Sequence, residues 1–176
     1  IRRQRQMCIR DRPTTGLRFF TVYGPWGRPD MALFKFTRYI LEGQPIPVYN
    51  RGQMVRDFTY IDDIIEGVSR VIDCSPEEVL TVSADRERDT SPYRIYNLGN
   101  GKRVQLMDYI RELETCLGCS AKLDLLPMQE GDVPITEADT SQFESDFDYR
   151  SKVITKEGFA RFVTWYCDYF GVTASV

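Results

Sequence analysis

One stretch, LRFFTVYGPWGRPDM at residues 17–31, constrains the fold more than any other part of the chain. It opens with apolar and aromatic residues that favour a buried strand at Leu17–Tyr23, and Gly24 and Pro25 then end that strand abruptly. Asp30 follows at a position suited to cap a helix that runs to about residue 41. Open α/β sheets bind ligands at the carboxyl ends of parallel strands, so this turn is predicted to belong to a binding site.

The rest of the chain alternates strand-like and helix-like segments, which predicts the α/β class with parallel strands. Further strands are predicted at Ile46–Tyr49, Met54–Tyr60, Tyr93–Leu98 and Leu123–Leu126. Further helices are predicted from Ile61 to about Ser75, between Gly101 and Gly118, and from Lys156 to Phe170. Asp62 or Asp63 is predicted to cap the first of these helices. Residues 76–93 are rich in charge and are predicted to form an exposed, mobile loop.

The composition excludes several kinds of active site. The chain has no histidine, so neither Ser-His-Asp nor Cys-His machinery can form. Its five cysteines, an odd number spread along the chain, indicate free thiols in a reducing, cytoplasmic compartment. Cys116 and Cys119 form a lone CxxC pair, for which ordinary packing is favoured over a metal or redox site. No apolar run approaches the roughly 20 residues that span a bilayer, so no membrane contact is predicted.

Residues 1–12 differ in charge from the rest of the chain. They hold five arginines and one aspartate, whereas the remaining residues carry 18 basic and 25 acidic side chains. This head has no hydrophobic period, and the favoured interpretation is a non-native, disordered or frayed segment without function. A basic arm that touches nucleic acid is the alternative, and no nucleic-acid partner is predicted.

Four blocks, in this order, carry a resemblance to a known family: LRFFTVYGPWGRPDMALFKF, PIPVYNRGQMVRDFTYIDDI, YNLGNGKRVQL and LLPMQEGDVPITEADT. They resemble the extended short-chain dehydrogenase/reductase family of nucleotide-sugar epimerases and dehydratases, and within it the UDP-glucuronate 4-epimerases. The resemblance covers roughly Pro13 to Phe170 and only the carboxyl-terminal half of such an enzyme. It implies the last parallel strands of a Rossmann-type fold plus the small substrate-binding α/β domain, so residues 13–176 are expected to form the substrate-binding half.

The resemblance also implies roles at the nucleotide end of the substrate. Val48 and Tyr49 match the segment whose backbone reads the uracil ring, and amide-to-base hydrogen bonds suit an edge strand with spare N–H and C=O groups. Arg56 matches the arginine that holds the diphosphate, since a guanidinium can grip two phosphate oxygens at once. The alternative for Arg56 is an ion pair with Asp57 or Asp62.

A late motif, Gln129-Glu-Gly-Asp132, matches the family's contacts to the ribose and diphosphate. Asp132 would only accept hydrogen bonds, which suits ribose hydroxyls; the alternative is a turn-stabilising side chain after Gly131. Related UDP-galactose epimerases carry arginine where Gln129 stands, a departure that bears on the diphosphate contact.

Thr21 and Arg28 are the residues expected to set substrate choice. They are separated by seven positions across the Gly-Pro turn, where they could face one pocket from the strand end and from the loop. A hydroxyl plus a guanidinium fits a sugar carboxylate better than a neutral hydroxymethyl group. The alternative is that Thr21 is a strand residue and Arg28 a surface charge. Tyr23 and Trp26 are predicted to be packing residues of the loop.

The chain lacks the sequences of the family's oxidising machinery. It contains no GxGxxG or GxxGxxG, and no tyrosine is followed four residues later by lysine. Gly99-Asn100-Gly101 imitates part of a dinucleotide fingerprint, but a tight turn is the favoured interpretation, and no residue is assigned to cofactor binding. NAD is therefore expected for the whole enzyme, and this chain alone is predicted not to turn over substrate.

The predicted function is that of a fragment of an NAD-dependent UDP-glucuronate 4-epimerase, an isomerase of polysaccharide biosynthesis. Such an enzyme interconverts UDP-glucuronate and UDP-galacturonate through a 4-keto intermediate; its expected partner is the UDP-sugar, and the whole enzyme is expected to be a homodimer. The alternatives are a fragment of a UDP-glucuronate decarboxylase or of a sugar-nucleotide 4,6-dehydratase, and a non-catalytic UDP-sugar-binding domain. A fragment would expose apolar surface that the Rossmann sheet normally covers, which predicts poor solubility.

Overall fold

The computed structural model describes residues 14–74 and 93–173 of the 176-residue chain. Strands and helices are mixed along the chain, and three of the strand pairs are parallel, which confirms the predicted α/β class. The strands are β1 Thr14–Phe19, β2 Thr21–Tyr23, β3 Pro45–Val48, β4 Val55–Tyr60, β5 Tyr93–Leu98, β6 Arg103–Gln105 and β7 Lys122–Leu125. The helices are α1 Ala32–Leu41, α2 Ile61–Asp73, α3 Leu106–Leu117, α4 Ser141–Phe147 and α5 Thr155–Phe170. A short 3₁₀ segment, Tyr49–Gly52, follows β3.

The predicted strand Leu17–Tyr23 is two strands rather than one. β1 pairs in parallel with β5, whereas β2 pairs in parallel with β4, so the chain changes partner at Phe20. β4 also pairs with the antiparallel β6, and β3 pairs in parallel with β7 in a separate two-stranded sheet. Because β2 and β4 run in the same direction, the turn after β2 and the helix after β4 leave the same edge of their sheet.

Two apolar cores hold these elements together. The larger core contains buried side chains of α1, β3, β4, α3 and α5, among them the edge-to-face pair Tyr109 and Phe159, with 4.5 Å between ring centroids. The smaller core contains residues of α2, β5 and α4. Gly67 lets α2 approach β5, because a Cβ there would lie 2.8 Å from the Leu98 side chain. Phe58 of β4 belongs to the larger core, so β4 is firmly held where the candidate site begins.

The predicted helix caps are wrong. No side chain caps the N-terminus of α1, which starts after Met31, and Asp30 pairs with Arg28 instead. Asp62 and Asp63 lie inside the first turn of α2 rather than before it, and no side chain caps that helix either. A carboxylate in the first turn still interacts favourably with the helix dipole, so the charge pattern is typical of a helix start although the residues are not caps.

Some large apolar side chains remain exposed. The apolar stripe along α2 is only partly buried: Ile64 is inside, whereas Ile65 and Ile72 are 57% and 75% exposed. Phe19 at the end of β1 and Ile95 in β5 are exposed as well. The poor solubility expected of such a surface stays a prediction.

Two predicted segments lie outside the described residues. These are the basic head at residues 1–12 and the charged loop at 76–93, except that Tyr93 is the first residue of β5. Within the described ranges no helix combines the length and the apolar character needed to cross a membrane. Cys116 and Cys119 pack, partly buried, against the larger core, as predicted. Across residues 14–74 and 93–173, no cluster of three or more acidic or thiol side chains could hold a metal ion.

Candidate functional site

Arg56 and Asp132, two of the predicted substrate contacts, lie against each other. Arg56 is the second residue of β4, and its Nη2 donates to Asp132 Oδ1 at 2.8 Å. Its Nη1 donates to the carbonyl oxygens of Val55 and Pro134, at 3.0 and 3.2 Å. The Arg56 side chain is 18% exposed and that of Asp132 is 38% exposed, so the pair lies at the boundary between interior and solvent. The fold therefore brings together two residues that are 76 positions apart in the sequence.

The alternative partners for Arg56 are wrong. Asp62 accepts a hydrogen bond from Arg161 Nη1 at 3.2 Å. Asp57 directs its carboxylate at backbone amides instead of at a cation. Because neither acid is bonded to Arg56, the guanidinium is positioned by Asp132 and by carbonyl groups.

The Asp132 side chain also stabilises a turn, which is the alternative role predicted for it. Gly131 has φ 82°, a conformation that favours glycine, and Asp132 N–H donates to Gln129 O at 3.2 Å. Asp132 Oδ1 accepts the N–H of Val133 at 2.7 Å. Gln129 takes part through its carbonyl, its side chain is exposed, and no bond joins it to Arg56 within the described part of the chain.

Residues 132–138, called the strap from here on, run beside the first half of β4. Val55 N–H donates to Pro134 O at 2.9 Å, and Thr136 N–H donates to Val55 O at 3.0 Å. At the far end of the strap, Ala138 N–H donates to Asp57 Oδ2 at 3.1 Å. These hydrogen bonds fix the strap on β4 and thereby fix the acceptors that hold Arg56.

A cleft of about 620 Å³ opens beside the strap and the start of β4. Sites for small ligands usually measure about 300–1,000 Å³, so this cleft is large enough for a nucleotide. Its walls include Arg51, Gln53, Val55, Gln105, Asp108 and Pro134. None of these residues was predicted to belong to the site. The one sequence feature that could have indicated Arg51 and Gln53 is their position between the predicted site residues Tyr49 and Arg56.

Val48 and Tyr49 lie where β3 passes into the 3₁₀ segment that borders the cleft. Val48 is fully buried, and its carbonyl oxygen accepts the N–H of Leu126 at 2.9 Å. Asn50 and Arg51 both have φ 50°, a left-handed conformation that costs energy in residues other than glycine. The Val48 carbonyl is already bonded, and Tyr49, which is 37% exposed, is the more accessible of the two predicted residues.

The structure does not bring Thr21 and Arg28 into contact. Thr21 begins β2 and is half-buried opposite Phe58 of β4. Arg28 lies in the loop after β2 with a 76% exposed side chain, and it forms a two-point ion pair with Asp30, with Nε donating to Oδ1 at 3.0 Å and Nη2 to Oδ2. The pair raises the pKa of the Arg28 guanidinium and lowers the pKa of the Asp30 carboxyl.

The packing prediction holds for Tyr23 and only in part for Trp26. Tyr23 is buried in the larger core, and this burial raises the pKa of its phenol. Trp26 is 73% exposed with φ 60°, and its indole lies against Trp165 and Tyr169 at 5.3 and 5.0 Å between ring centroids. The loop therefore rests on the surface of α5 instead of entering the core.

Asp57 is the residue of this region that sequence reasoning missed. Its buried carboxylate accepts the N–H groups of Asn100 and Gly101, at 3.0 and 2.9 Å, in addition to that of Ala138. The signal was an acidic residue inside an otherwise buried strand, because a buried carboxylate must find several donors. The Gly99–Gly101 segment, called the turn after β5 from here on, bends at Gly99 and has Gly101 at φ 65°.

Arg56 and Asp132 lie next to Val55 and Pro134 of the cleft wall, and an arginine–carboxylate pair at such a place can bind an anionic ligand that bears hydroxyl groups. The chain belongs to the NAD dependent epimerase/dehydratase family, whose sequence profile matches residues 6–99. This membership confirms the family predicted from the four sequence blocks.

Relatives with more specific names are also similar to the chain. It is 48% identical over 158 residues to the probable UDP-glucuronate 4-epimerase of Rhizobium meliloti (strain 1021), covering 88% of this chain and 46% of the relative. It is 47% identical over 161 residues to protein CapI of Staphylococcus aureus, covering 90% of this chain and 48% of the relative.

Among solved structures, the UDP-glucuronic acid 4-epimerase of Bacillus cereus in complex with UDP-glucuronic acid and NAD is similar with a TM-score of 0.72. The identity is 29%, and the match covers 89% of this chain and 46% of that chain. The predicted fold, part of a Rossmann-type extended short-chain dehydrogenase/reductase, is thereby confirmed. The chain spans about half the length of the relatives it matches.

Proposed function

We propose that this chain binds the UDP-sugar in an NAD-dependent UDP-glucuronate 4-epimerase, which interconverts UDP-glucuronate and UDP-galacturonate. The observation that carries the proposal is the Arg56–Asp132 pair beside the cleft. The names of the relatives support it, because the Rhizobium meliloti protein is called a probable UDP-glucuronate 4-epimerase and the Bacillus cereus structure contains UDP-glucuronic acid.

The diphosphate is assigned to Arg56. Its bonds to the strap and to Val55 use both Nη1 protons and one Nη2 proton. Among the described residues no acceptor takes the Nε–H and the other Nη2–H, which lie parallel on the second edge of the guanidinium. That edge matches two phosphate oxygens, and the arginine keeps its charge at any physiological pH.

The ribose is assigned to Asp132. Its Oδ1 is already shared by Arg56 and the N–H of Val133, and Oδ2 remains as an acceptor for a ribose hydroxyl. The partial exposure of this carboxylate, 38%, lets a ligand reach it without opening the strap.

The sugar carboxylate is assigned to Arg28 and Thr21. In the structure Asp30 occupies the Arg28 guanidinium, and a substrate carboxylate would take the place of Asp30. Ion pairs between exposed side chains contribute little net stability, so this exchange costs the protein little. Arg28 would then discriminate UDP-glucuronate from UDP-glucose by charge.

Holding the carboxylate would also protect the product. A 4-keto intermediate of glucuronate is a β-keto acid, which loses carbon dioxide when its C5–carboxylate bond lies parallel to the carbonyl π orbitals. A carboxylate held in another orientation by Arg28 and Thr21 raises that barrier, and about 1.4 kcal/mol changes the rate tenfold. This positioning would separate an epimerase from a decarboxylase.

NAD would supply the hydride acceptor at C4 in the whole enzyme. The described residues do not fit a dinucleotide phosphate, because the amides of Asn100 and Gly101 in the glycine-rich turn already donate to Asp57. The sequence also has no tyrosine followed four residues later by lysine. We therefore assign substrate binding to this chain and expect no turnover from it alone.

Calorimetry with UDP tests the proposal. We expect the wild-type chain to bind UDP and Arg56→Ala to bind it at least about tenfold more weakly, since hydrogen bonds to charged groups contribute about 1.5–3 kcal/mol. Arg103→Ala is the matched control, because Arg103 also pairs with a carboxylate of the strap, Glu137, at 2.8 Å but has no assigned ligand contact. No binding by the wild-type chain, or equal affinities for the two variants, would contradict the proposal.

A further inference from the structure

We propose that Asp57 is a positioning residue: its buried carboxylate holds the strap on β4, and the strap in turn holds Arg56 and Asp132 in the geometry that binds the nucleotide. This inference rests on the function proposed above. It concerns a residue that touches no assigned ligand and acts through the backbone.

The carboxylate of Asp57 joins three separate segments of the chain. The side chain is fully buried, and Oδ1 accepts the N–H of Asn100 in the turn after β5. Oδ2 accepts the N–H of Gly101 in the same turn and the N–H of Ala138 in the strap. The hydroxyl of Thr59 adds a long contact of 3.4 Å. All four donors are neutral, so the carboxylate serves to bring backbone segments together.

Neighbouring residues of β4 hold the strap from two sides. Successive side chains of a strand point to opposite faces, so Asp57 enters the interior while Arg56 lies at the solvent boundary. Arg56 bonds the beginning of the strap, at Asp132 and Pro134, and Asp57 bonds its end, at Ala138. Loss of the inner bond would leave the strap attached through Val55, through the Arg103–Glu137 ion pair and through Arg56. The proposed diphosphate contact needs that same Arg56 side chain.

The turn packs so closely against the strap that a side chain at position 99 would not fit between them. A Cβ at Gly99 would lie 2.6 Å from the Cβ of Ala138 and 3.3 Å from Asp57 Oδ2. Both distances are shorter than ordinary van der Waals contact, so a side chain at position 99 would force the strap away from Asp57. The Asp57 carboxylate therefore holds Ala138 of the strap, and a side chain at position 99 would push Ala138 away from it.

A second buried carboxylate provides a matched control. Asp63 in α2 accepts the N–H groups of Lys152 and Val153 at 3.1 and 3.0 Å, and the hydroxyl of Tyr149 at 3.3 Å. It has nearly the same burial and a similar set of donors as Asp57, but it ties α2 to the segment before α5. A purely structural role would make the two carboxylates equivalent with respect to UDP.

The test compares Asp57→Asn with Asp63→Asn in the full chain. Each variant turns one carboxylate oxygen into an NH₂ group that cannot accept the backbone N–H facing it, so we expect both to lower the melting temperature. Only Asp57→Asn should weaken UDP binding, by about tenfold, and speed amide hydrogen exchange at Val133 and Thr136. Affinity within twofold of wild type in Asp57→Asn, or equal weakening in both variants, would overturn the inference.

Gly99→Ala supplies the same test without removing the carboxylate, should Asp57→Asn fail to fold. It should displace Ala138 and reproduce both the loss of UDP affinity and the faster exchange of the strap. Unchanged affinity and exchange in Gly99→Ala would count against a positioning role. If the wild-type chain binds no UDP, the proposed function fails, and exchange rates measured without ligand decide the role of Asp57 by themselves.

Discussion

The two regions of the candidate site that we propose as its nucleotide end and its sugar end are built differently. At the nucleotide end, Arg56 and the strap are fixed by hydrogen bonds to β4 and to the buried Asp57. At the sugar end, Arg28 is 76% exposed and pairs with Asp30 in a loop that rests on the surface of α5. The proposed nucleotide end is thus preorganised, whereas at the proposed sugar end Arg28 would have to exchange Asp30 for a ligand carboxylate.

The contrast suggests a division of labour between affinity and selectivity. A fixed guanidinium loses little conformational entropy when it binds a phosphate, so the nucleotide end is suited to supply affinity. An exposed arginine that can change partner contributes less affinity but can distinguish a charged sugar from a neutral one. Variants at the nucleotide end should therefore change the affinity for UDP. Variants at the sugar end should change the preference for a charged over a neutral sugar.

The largest expected effect lies beneath the sugar end, at Gly158→Ala. A Cβ at Gly158 would overlap the hydroxyl of Tyr23, the last residue before the loop, and such overpacking costs about 1–3 kcal/mol of unfolding free energy. Urea denaturation should show this loss, and the double variant with Tyr23→Phe should recover part of it. Unchanged stability in Gly158→Ala, or no recovery in the double variant, would show that the loop does not depend on this contact.

A smaller effect is expected from Arg28→Ala, and it should appear only with acidic sugars. The ratio of affinities for UDP-glucuronate and UDP-glucose should fall about tenfold, because one charge-assisted contact is lost, while UDP affinity stays constant. Arg150→Ala is the control, since Arg150 also forms an ion pair with a 73% exposed side chain, to Glu144 at 3.5 Å, and has no assigned ligand contact. Loss of UDP affinity in Arg28→Ala, or an unchanged ratio, would remove the proposed difference between the two ends.

The smallest effect is the titration of Asp30. Arg28 lowers the pKa of Asp30, so the pair stabilises the native state above the ordinary aspartate pKa of about 4 and this stabilisation is lost as the pH falls through the lower native pKa. Arg28→Ala should raise the Asp30 midpoint measured by carboxyl-carbon NMR. Identical midpoints in wild type and variant would mean that the pair does not persist in solution.

The sequence predicted the larger elements well, since period and turn residues are local signals. Gly24 and Pro25 follow the end of β2 as predicted, and most of the aromatic residues of α5 that were expected to be buried lie in the core. The break at Phe20 was missed, because it arises from pairing with two different strands that lie far away in the sequence. The predicted cap at Asp30 was wrong for a related reason: a nearby arginine is a competing partner that spacing alone does not reveal.

The sequence predicts those residues of the candidate site whose side-chain type indicates what they can bind. The sequence predicts Arg56 and Asp132 independently of each other, and the fold places Arg56 Nη2 2.8 Å from Asp132 Oδ1. Asp57 stands beside Arg56 in the sequence, where its position predicts only an ion-pair partner for that arginine. Its three backbone donors come from two segments more than 40 positions away, and a backbone N–H has no signature in the sequence.

A crystal structure of the chain with UDP tests the central claim most directly. We expect diphosphate oxygens within hydrogen-bonding distance, about 3 Å, of Arg56 Nε and Nη2, with the strap still bonded to Val55 and Asp57. A diphosphate bound away from Arg56, or a strap displaced from β4 in the complex, would contradict it.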